Sequence, residues 1–170
     1  MSIARTLFGE EHLLFRDALD RFIKLEAVPN YQRYEEQGYV DRDLWLKAGA
    51  AGFICSLRPE EEYGGAGADK VYSVVLFEQA ARHAVQNLLG WALHSEIVAP
   101  YLLHYGSDYL QERYLPQMAT GDLIGAIVMT EPTAGFDLQG IATTALRAGE
   151  CYVLNGSKTF MKELIARQLP

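Results

Sequence analysis

The run Ile127-Val128-Met129-Thr130-Glu131-Pro132-Thr133-Ala134-Gly135-Phe136-Asp137 holds the residues best suited to contact a flat, polar ligand. An apolar stretch, residues 123–129, predicts a buried strand that stops at Thr130. Glu131-Pro132 cannot continue a helix, because proline lacks an N–H and restricts the residue before it. Ala134-Gly135 then permits a tight turn. A strand that opens into such a loop exposes backbone amides and one hydroxyl, groups that could hold a flat, hydrogen-bonding ligand. Other chemistries find less support. His12, His83, His94 and His104 lack the facing spacing of metal ligands, and no HExxH occurs, so they are expected as structural or surface histidines and no metal site is expected. Gly64-Gly65-Ala66-Gly67 is not a phosphate loop, since no Gly-Lys-Ser/Thr follows and no strand precedes it.

The elements that must position this loop can be read along the chain. Phe15, Leu19, Phe22 and Ile23 recur at three- and four-residue steps and predict an amphipathic helix over 10–26, interrupted at Pro29-Asn30. A short helix over 31–37 stops at Gly38. Asp41 or Asp43 caps a helix running to Gly52, followed by an extended link over 53–57 and an acidic, glycine-rich loop over 59–67. Asp69 caps a long helix through Val71, Val75 and Ala81. Another helix starts near Leu88 and runs to Leu103 with a break near Pro100, and the last spans 108–114 and ends at Pro116. Tyr101, Tyr105 and Tyr109 are expected to pack between helices.

After Gly121 the period becomes strand-like. Residues 123–129, 143–147, 151–154 and 157–160 predict four strands, with a turn at 148–150 and a two-residue hairpin at Asn155-Gly156. The expected fold class is α+β: an N-terminal up-and-down helical bundle followed by an incomplete β-barrel-like domain. An open sheet of this kind predicts an exposed edge, and aggregation or oligomerisation of the isolated chain.

Composition narrows the function. The net charge of −7 argues against nucleic acid, and 49% apolar residues suffice for a core in 170 residues. Cys55 and Cys151 form no CxxC and are expected as buried thiols. No uninterrupted apolar stretch suits a membrane span, and residues 1–5 lack the apolar segment of a secretion signal, so a soluble, reducing compartment is expected.

Met129-Thr130-Glu131-Pro132-x-Ala134-Gly135-x-Asp137 resembles the flavin-contacting motif of the acyl-CoA dehydrogenase family. Arg113-Tyr114-Leu115-Pro116, the block Tyr152-Val153-Leu154-Asn155-Gly156-Ser157-Lys158-Thr159-Phe160 and the loop Glu61-Glu62-Tyr63-Gly64-Gly65-Ala66-Gly67 agree with it. His94-Ser95-x-Ile97-Val98 and Asp137-Leu138-Gln139-Gly140-Ile141 resemble the long-chain type. The resemblance implies a helical domain over 1–120, the start of a middle β domain over 121–160, and a divergent tail over 161–170, where the family's Ile-Thr-Asn-Gly is replaced by Met161-Lys162-Glu163-Leu164 and the helical spacing of Met161, Leu164 and Ile165. That tail reads as a frameshift, truncation or altered C-terminus.

By the same resemblance the implied activity is FAD-dependent α,β-dehydrogenation of acyl-CoA thioesters, of the fatty-acid β-oxidation type. Ile127, Met129, Thr130 and Gly135 are the implied FAD contacts. Phe136 stands at an implied substrate contact where the family usually has serine. Asp137 braces the loop, and the loop at 59–67 lies near the acyl-CoA pocket or is a solvated connector. The catalytic glutamate belongs to a C-terminal domain outside this sequence, so Glu131 is not expected to be the base and the chain as given is expected to be incomplete and inactive. Implied partners are acyl-CoA, an electron-transferring flavoprotein and further copies of the chain as a homo-oligomer. The implied location is cytoplasmic in a bacterium or the mitochondrial matrix in a eukaryote. The alternative is a non-catalytic module that binds acyl-CoA or an oligomer partner.

Overall fold

The chain divides into two compact units, Met1–Ala126 and Ile127–Pro170. The computed structural model describes residues 6–55 and 67–159. The expectations for most of the acidic loop, for the end of the link at 56–57 and for the tail from 160 onward lie outside these residues. The fold class is α+β: a helical unit followed by a two-stranded antiparallel sheet that does not close.

Helix α1 spans Glu10–Phe22. Glu10 and Glu11 in its first turn favour the positive end of the helix dipole. Leu19 and Ile23 on its apolar stripe are fully buried. The helix does not stop at 26 but passes into a π turn, Ile23–Ala27, and a 3-10 turn, Val28–Asn30, that takes up Pro29. Helix α2, Tyr31–Gln37, ends at Gly38. Helix α3, Arg42–Ala50, starts after Asp41, yet the Asp41 carboxylate makes no cap. It accepts instead from Arg33 at 2.5 Å and Gln37 at 2.9 Å, tying α2 to α3, while its backbone carbonyl accepts from the Leu44 N–H. Helix α4, Lys70–Arg82, is capped as its sequence predicts: the Asp69 carboxylate accepts from the Val71 N–H at 2.8 Å.

A 3-10 turn leads into α5, Leu89–Ala92, then a π segment, Leu93–Val98, and α6, Ala99–Tyr105. The expected break near Pro100 takes the form of this π segment, because proline near the start of a helix withholds only a donor the helix would leave free. Helix α7 spans Asp108–Thr120 and overturns the expected stop at Pro116, which lies inside it. An interior proline costs roughly 3 kcal/mol. Continuing the helix buries Leu115, Met118 and Ala119, and full burial of a Leu or Met contributes roughly 1.5–3 kcal/mol each. Packing therefore outweighs the local penalty. The helix ends at Gly121, whose φ of +80° and 2.5 Å spacing between a notional Cβ and the Trp45 carbonyl oxygen admit no side chain.

The core of the first unit is aromatic. Trp45 and Trp91 meet edge to face at 6.3 Å, Phe22 packs on Phe53 at 5.1 Å, and Phe15 on Phe53 at 5.5 Å. Helices α1 and α4 lie side by side with residues meeting in ascending order: His12 with Asp69, Phe15 with Tyr72, Asp20 with His83. The tyrosines expected between helices are not there. Tyr101, Tyr105 and Tyr109 are exposed, because they fall off the buried stripes of α6 and α7.

In the second unit β1, Thr144–Ala148, pairs with β2, Cys151–Asn155, from Thr144 opposite Asn155 to Ala148 opposite Cys151. The predicted turn falls at Gly149-Glu150, with Gly149 at φ +66°. Three expectations are corrected. Residues 123–129 form no ladder among the described residues, because β1 and β2 pair with each other and leave that run no partner strand. Asn155-Gly156 closes no hairpin and 157–159 is no strand; the glycine instead allows close passage over Thr143, whose hydroxyl oxygen would lie 2.2 Å from a Cβ there. Cys151 is exposed, since a lone hairpin leaves both faces open, whereas Cys55 is buried as expected.

Candidate functional site

The sequence-predicted loop lies in the second unit. Its turn is one step earlier than Ala134-Gly135 suggests. Glu131 and Ala134 exchange both backbone hydrogen bonds, at 3.0 and 3.1 Å, with Pro132 and Thr133 between them. Proline presets φ for the first central position of such a turn. Ala134 is buried, while Gly135 faces open space, with nothing within 4 Å of a notional Cβ.

Glu131 holds the loop together. It is only 5% exposed, and its carboxylate accepts from the Ala142 N–H at 2.7 Å, the Thr143 N–H at 3.1 Å and the Lys158 ammonium at 2.8 Å. The same ammonium donates to the Met129 carbonyl at 3.2 Å, and the Thr159 N–H donates to the Thr130 carbonyl at 2.9 Å. A buried carboxylate needs such partners. Lys158 first, then Thr143 and Ala142, hold the Glu131 acid down to about 2. At neutral pH Glu131 is a fixed anion and a poor proton acceptor.

These contacts place the predicted residues. Ile127 and Thr130 are half-buried and Met129 is 40% exposed. Among the described residues the amides of Ile127, Val128, Met129 and Thr130 and the Thr130 hydroxyl have no hydrogen-bond partner. The run thus keeps unpaired amides, which in extended chain point alternately to its two sides, while Lys158 and Thr159 donate to carbonyls at its end. Phe136 stands in solvent, touching no part of this run. The Asp137 carboxylate accepts from the Gln139 N–H at 3.1 Å and caps a 3-10 turn, Leu138–Gly140. Sequence reasoning gave no role to the pairing of Glu131 with Lys158. The signal was present: a single acid at the end of an apolar run, followed by proline, must find a cation once buried.

In the helical unit the notable polar group is His94, fully buried. Its Nδ1 accepts from the Gly125 N–H at 2.9 Å, so Nε2 carries the proton and donates to the Met118 carbonyl at 3.0 Å. Burial holds its pKa below the ordinary value. Burial also pushes the Cys55 thiol up to about 12, so it is no nucleophile at neutral pH. His12 bridges the Gly9 N–H and Asp69, and His83 pairs with Asp20 at 2.8 Å. No group of three or more His, Cys, Asp or Glu that could hold a metal occurs among the described residues, and no helix there is long and apolar enough to cross a membrane.

Comparison with known proteins adds an independent line. The family model for the acyl-CoA dehydrogenase N-terminal domain matches residues 9–122. The chain is 42% identical over 157 residues to the mitochondrial long-chain specific acyl-CoA dehydrogenase of Rattus norvegicus, covering 92% of this chain and 36% of that protein. Among solved structures it resembles an acyl-CoA dehydrogenase from Geobacillus kaustophilus, with a TM-score of 0.88, 42% identity, and coverage of 96% of this chain and 42% of that one. It also resembles an acyl-CoA dehydrogenase from Bacillus anthracis complexed with FAD, with a TM-score of 0.81, 34% identity, and coverage of 92% of this chain and 27% of that one. The chain thus spans about a third of the length of the curated relative it matches. With the helical bundle matched over most of its length and the loop after it intact, the chain belongs to the acyl-CoA dehydrogenase family.

Proposed function

We propose that this chain supplies the helical domain and the flavin-facing loop of an FAD-dependent dehydrogenase that introduces a double bond between the α and β carbons of acyl-CoA thioesters. The observation that supports this reading is the set of unpaired amides and the unpaired Thr130 hydroxyl at 127–130, in a run whose end is tied by Lys158 and Thr159. The residues present fit a flat ring with polar edges: unpaired amides, an unpaired hydroxyl, and open space at Gly135. Ile127, Met129, Thr130 and Gly135 are the residues that would hold the flavin. When bound, a flavin accepts a hydride from the substrate β carbon.

The chain's own residues bind and orient. The Thr130 hydroxyl and neighbouring amides would donate to a bound flavin, and the apolar side chains of Ile127 and Met129 would keep water from it. A base for the α proton must sit dry and poised near neutral pH. Glu131 does not meet that need, because its carboxylate is occupied by Lys158 and two amides and titrates at about 2. The 170 residues alone are therefore proposed to bind rather than turn over substrate. Domain limits of 1–120 and 121–160 belong to the same proposal, as do an acyl-CoA substrate, an electron-transferring flavoprotein as acceptor, a homo-oligomer, and a location in the mitochondrial matrix or bacterial cytoplasm.

Titration of the purified chain with FAD, followed by quenching of flavin fluorescence, tests the reading. Saturable quenching that weakens at least tenfold in Thr130→Val is expected. Equal quenching by both proteins counts against the run 127–130 as the flavin contact. Turnover of an acyl-CoA by the isolated chain would overturn the binding-only assignment.

A further inference from the structure

His94 lies in the π segment, Leu93–Val98, with its ring fully buried. Its two nitrogens have opposite tasks. Nδ1 accepts from the Gly125 N–H at 2.9 Å, and Nε2 donates to the Met118 carbonyl at 3.0 Å. A backbone N–H can only donate, so Nδ1 must carry no proton. Trp45 of α3 closes one side of the ring, edge-on at 5.4 Å. The backbone at Gly125 already abuts its neighbours, since a notional Cβ there would lie 2.6 Å from a Val98 methyl and 3.0 Å from the Met118 methyl.

Gly125 stands two residues before the run 127–130. Upstream of it the Leu123 N–H donates to the Gln117 carbonyl at 2.9 Å. Downstream, among the described residues, Ala126, Ile127 and Val128 make no hydrogen bond. The next one is at the Met129 carbonyl, which accepts from Lys158 at 3.2 Å. The start of the run therefore depends on one hydrogen bond, and its acceptor is an imidazole.

We propose that His94 is a positioning residue for the run 127–130, and that a second proton on its ring releases the start of that run. Nδ1 is the nitrogen left to take the proton. Once protonated it faces the Gly125 N–H donor to donor, and the bond is lost. No charged side chain contributes to the titration of His94: burial comes first and lowers it, opposed by the Met118 bond. The charged groups of the packed elements are engaged elsewhere or exposed. Glu96 pairs with Lys70, Lys47 with Glu26 and Asp43, Arg42 with the Asp122 carbonyl and Arg113 with Tyr109, while Asp108 and Glu112 of α7 face solvent. The Cys55 thiol, in one core with Met118, is pushed up to about 12 and stays neutral. Because the folded pKa of His94 is lowered, the bond to Gly125 is complete above about 6.5 and is lost as pH falls through the lower folded value. The consequence for flavin binding rests on the function proposed above; the consequence for the run itself does not.

Backbone nitrogen relaxation of the 170-residue chain between about pH 7.5 and about pH 4 tests it, with the His94 ring followed by NMR in the same samples. The order parameters of Ile127 and Val128 are expected near about 0.85 while His94 is neutral, and below about 0.6 once it is protonated, with those of Leu19 and Val75 unmoved. In His94→Gln the carboxamide can accept from Gly125 and donate to Met118 but does not titrate, so the order parameters are expected to stay flat. If His94→Gln does not fold, a shared midpoint of ring and run in the unaltered chain carries the test. Quenching of FAD fluorescence is expected to weaken at least tenfold over the same range in the unaltered chain, and to lose that pH dependence in His94→Gln. If no saturable quenching occurs at neutral pH, the flavin reading fails, and the order parameters still decide the role of His94. A ring that stays neutral throughout, order parameters that ignore its titration, or an equal response in His94→Gln would overturn the proposal.

Discussion

The Lys158 ammonium lies 2.8 Å from a Glu131 carboxylate oxygen, and 3.2 Å from the Met129 carbonyl two residues before it. One side chain thus ties the end of the run 127–130 to the acid that anchors the turn.

Removing that cation frees the acid. In Lys158→Met the Glu131 pKa is expected to rise from about 2 toward its ordinary 4.5, readable by carboxyl carbon NMR across an acid titration. The sign follows from the depressed folded value: this pairing stabilises the fold above pH 4.5 and is lost as pH falls through about 2. A variant whose Glu131 still titrates near 2 would show that the two amides suffice.

His94 predicts a separate acid response. Its folded pKa is lowered, so its stabilising effect is complete above about 6.5 and is lost as pH falls through the lower folded value. The thermal midpoint of the chain is expected to fall between pH 7.5 and 5, and to fall less in His94→Gln. His94→Leu orphans the Gly125 N–H and leaves the Met118 carbonyl only its bond from the Gly121 N–H, and is expected to cost about 1–3 kcal/mol at pH 7 by chemical denaturation.

Pro116 sits in the interior of α7 against helix propensity. Pro116→Ala is expected to stabilise the chain by about 1–3 kcal/mol, seen as a higher denaturation midpoint with unchanged slope. A lower midpoint would mean that the ring itself packs in a way alanine cannot replace.

Gly121 gives the opposite sign. At φ +80°, with the Trp45 carbonyl 2.5 Å from a notional Cβ, Gly121→Ala must strain α7 or push it from α3. A loss of more than about 1 kcal/mol is expected, since αL alone disfavours alanine by that order.

The β1–β2 hairpin is exposed along both strands, with Leu146, Tyr152, Val153 and Leu154 all more than half open. A two-stranded hairpin is marginal in water. Amides of β1 and β2 are expected to exchange orders of magnitude faster than those of Leu19 or Val75 in hydrogen-exchange mass spectrometry. Equal protection would place a cover over the hairpin.

Local chemistry alone settled several features. The stripe of Phe15, Leu19, Phe22 and Ile23, the Asp69 cap, the Gly38 stop and the turn at Gly149 were all legible, because each depends on residues a few positions apart. So was the loop motif from Met129 to Asp137, and with it the family. Other features needed the tertiary structure. Helix α7 passes Pro116 because Met118 and Ala119 find a core, and 123–129 lacks a ladder because hydrogen-bond pairing depends on a neighbour that an apolar pattern cannot name. The meeting of Glu131 with Lys158, and of His94 with Gly125 and Met118, joins groups 24 to 31 residues apart. Sequence spacing carries information about contacts along one helix or turn; which distant groups share a buried site is decided by the packing that brings them there.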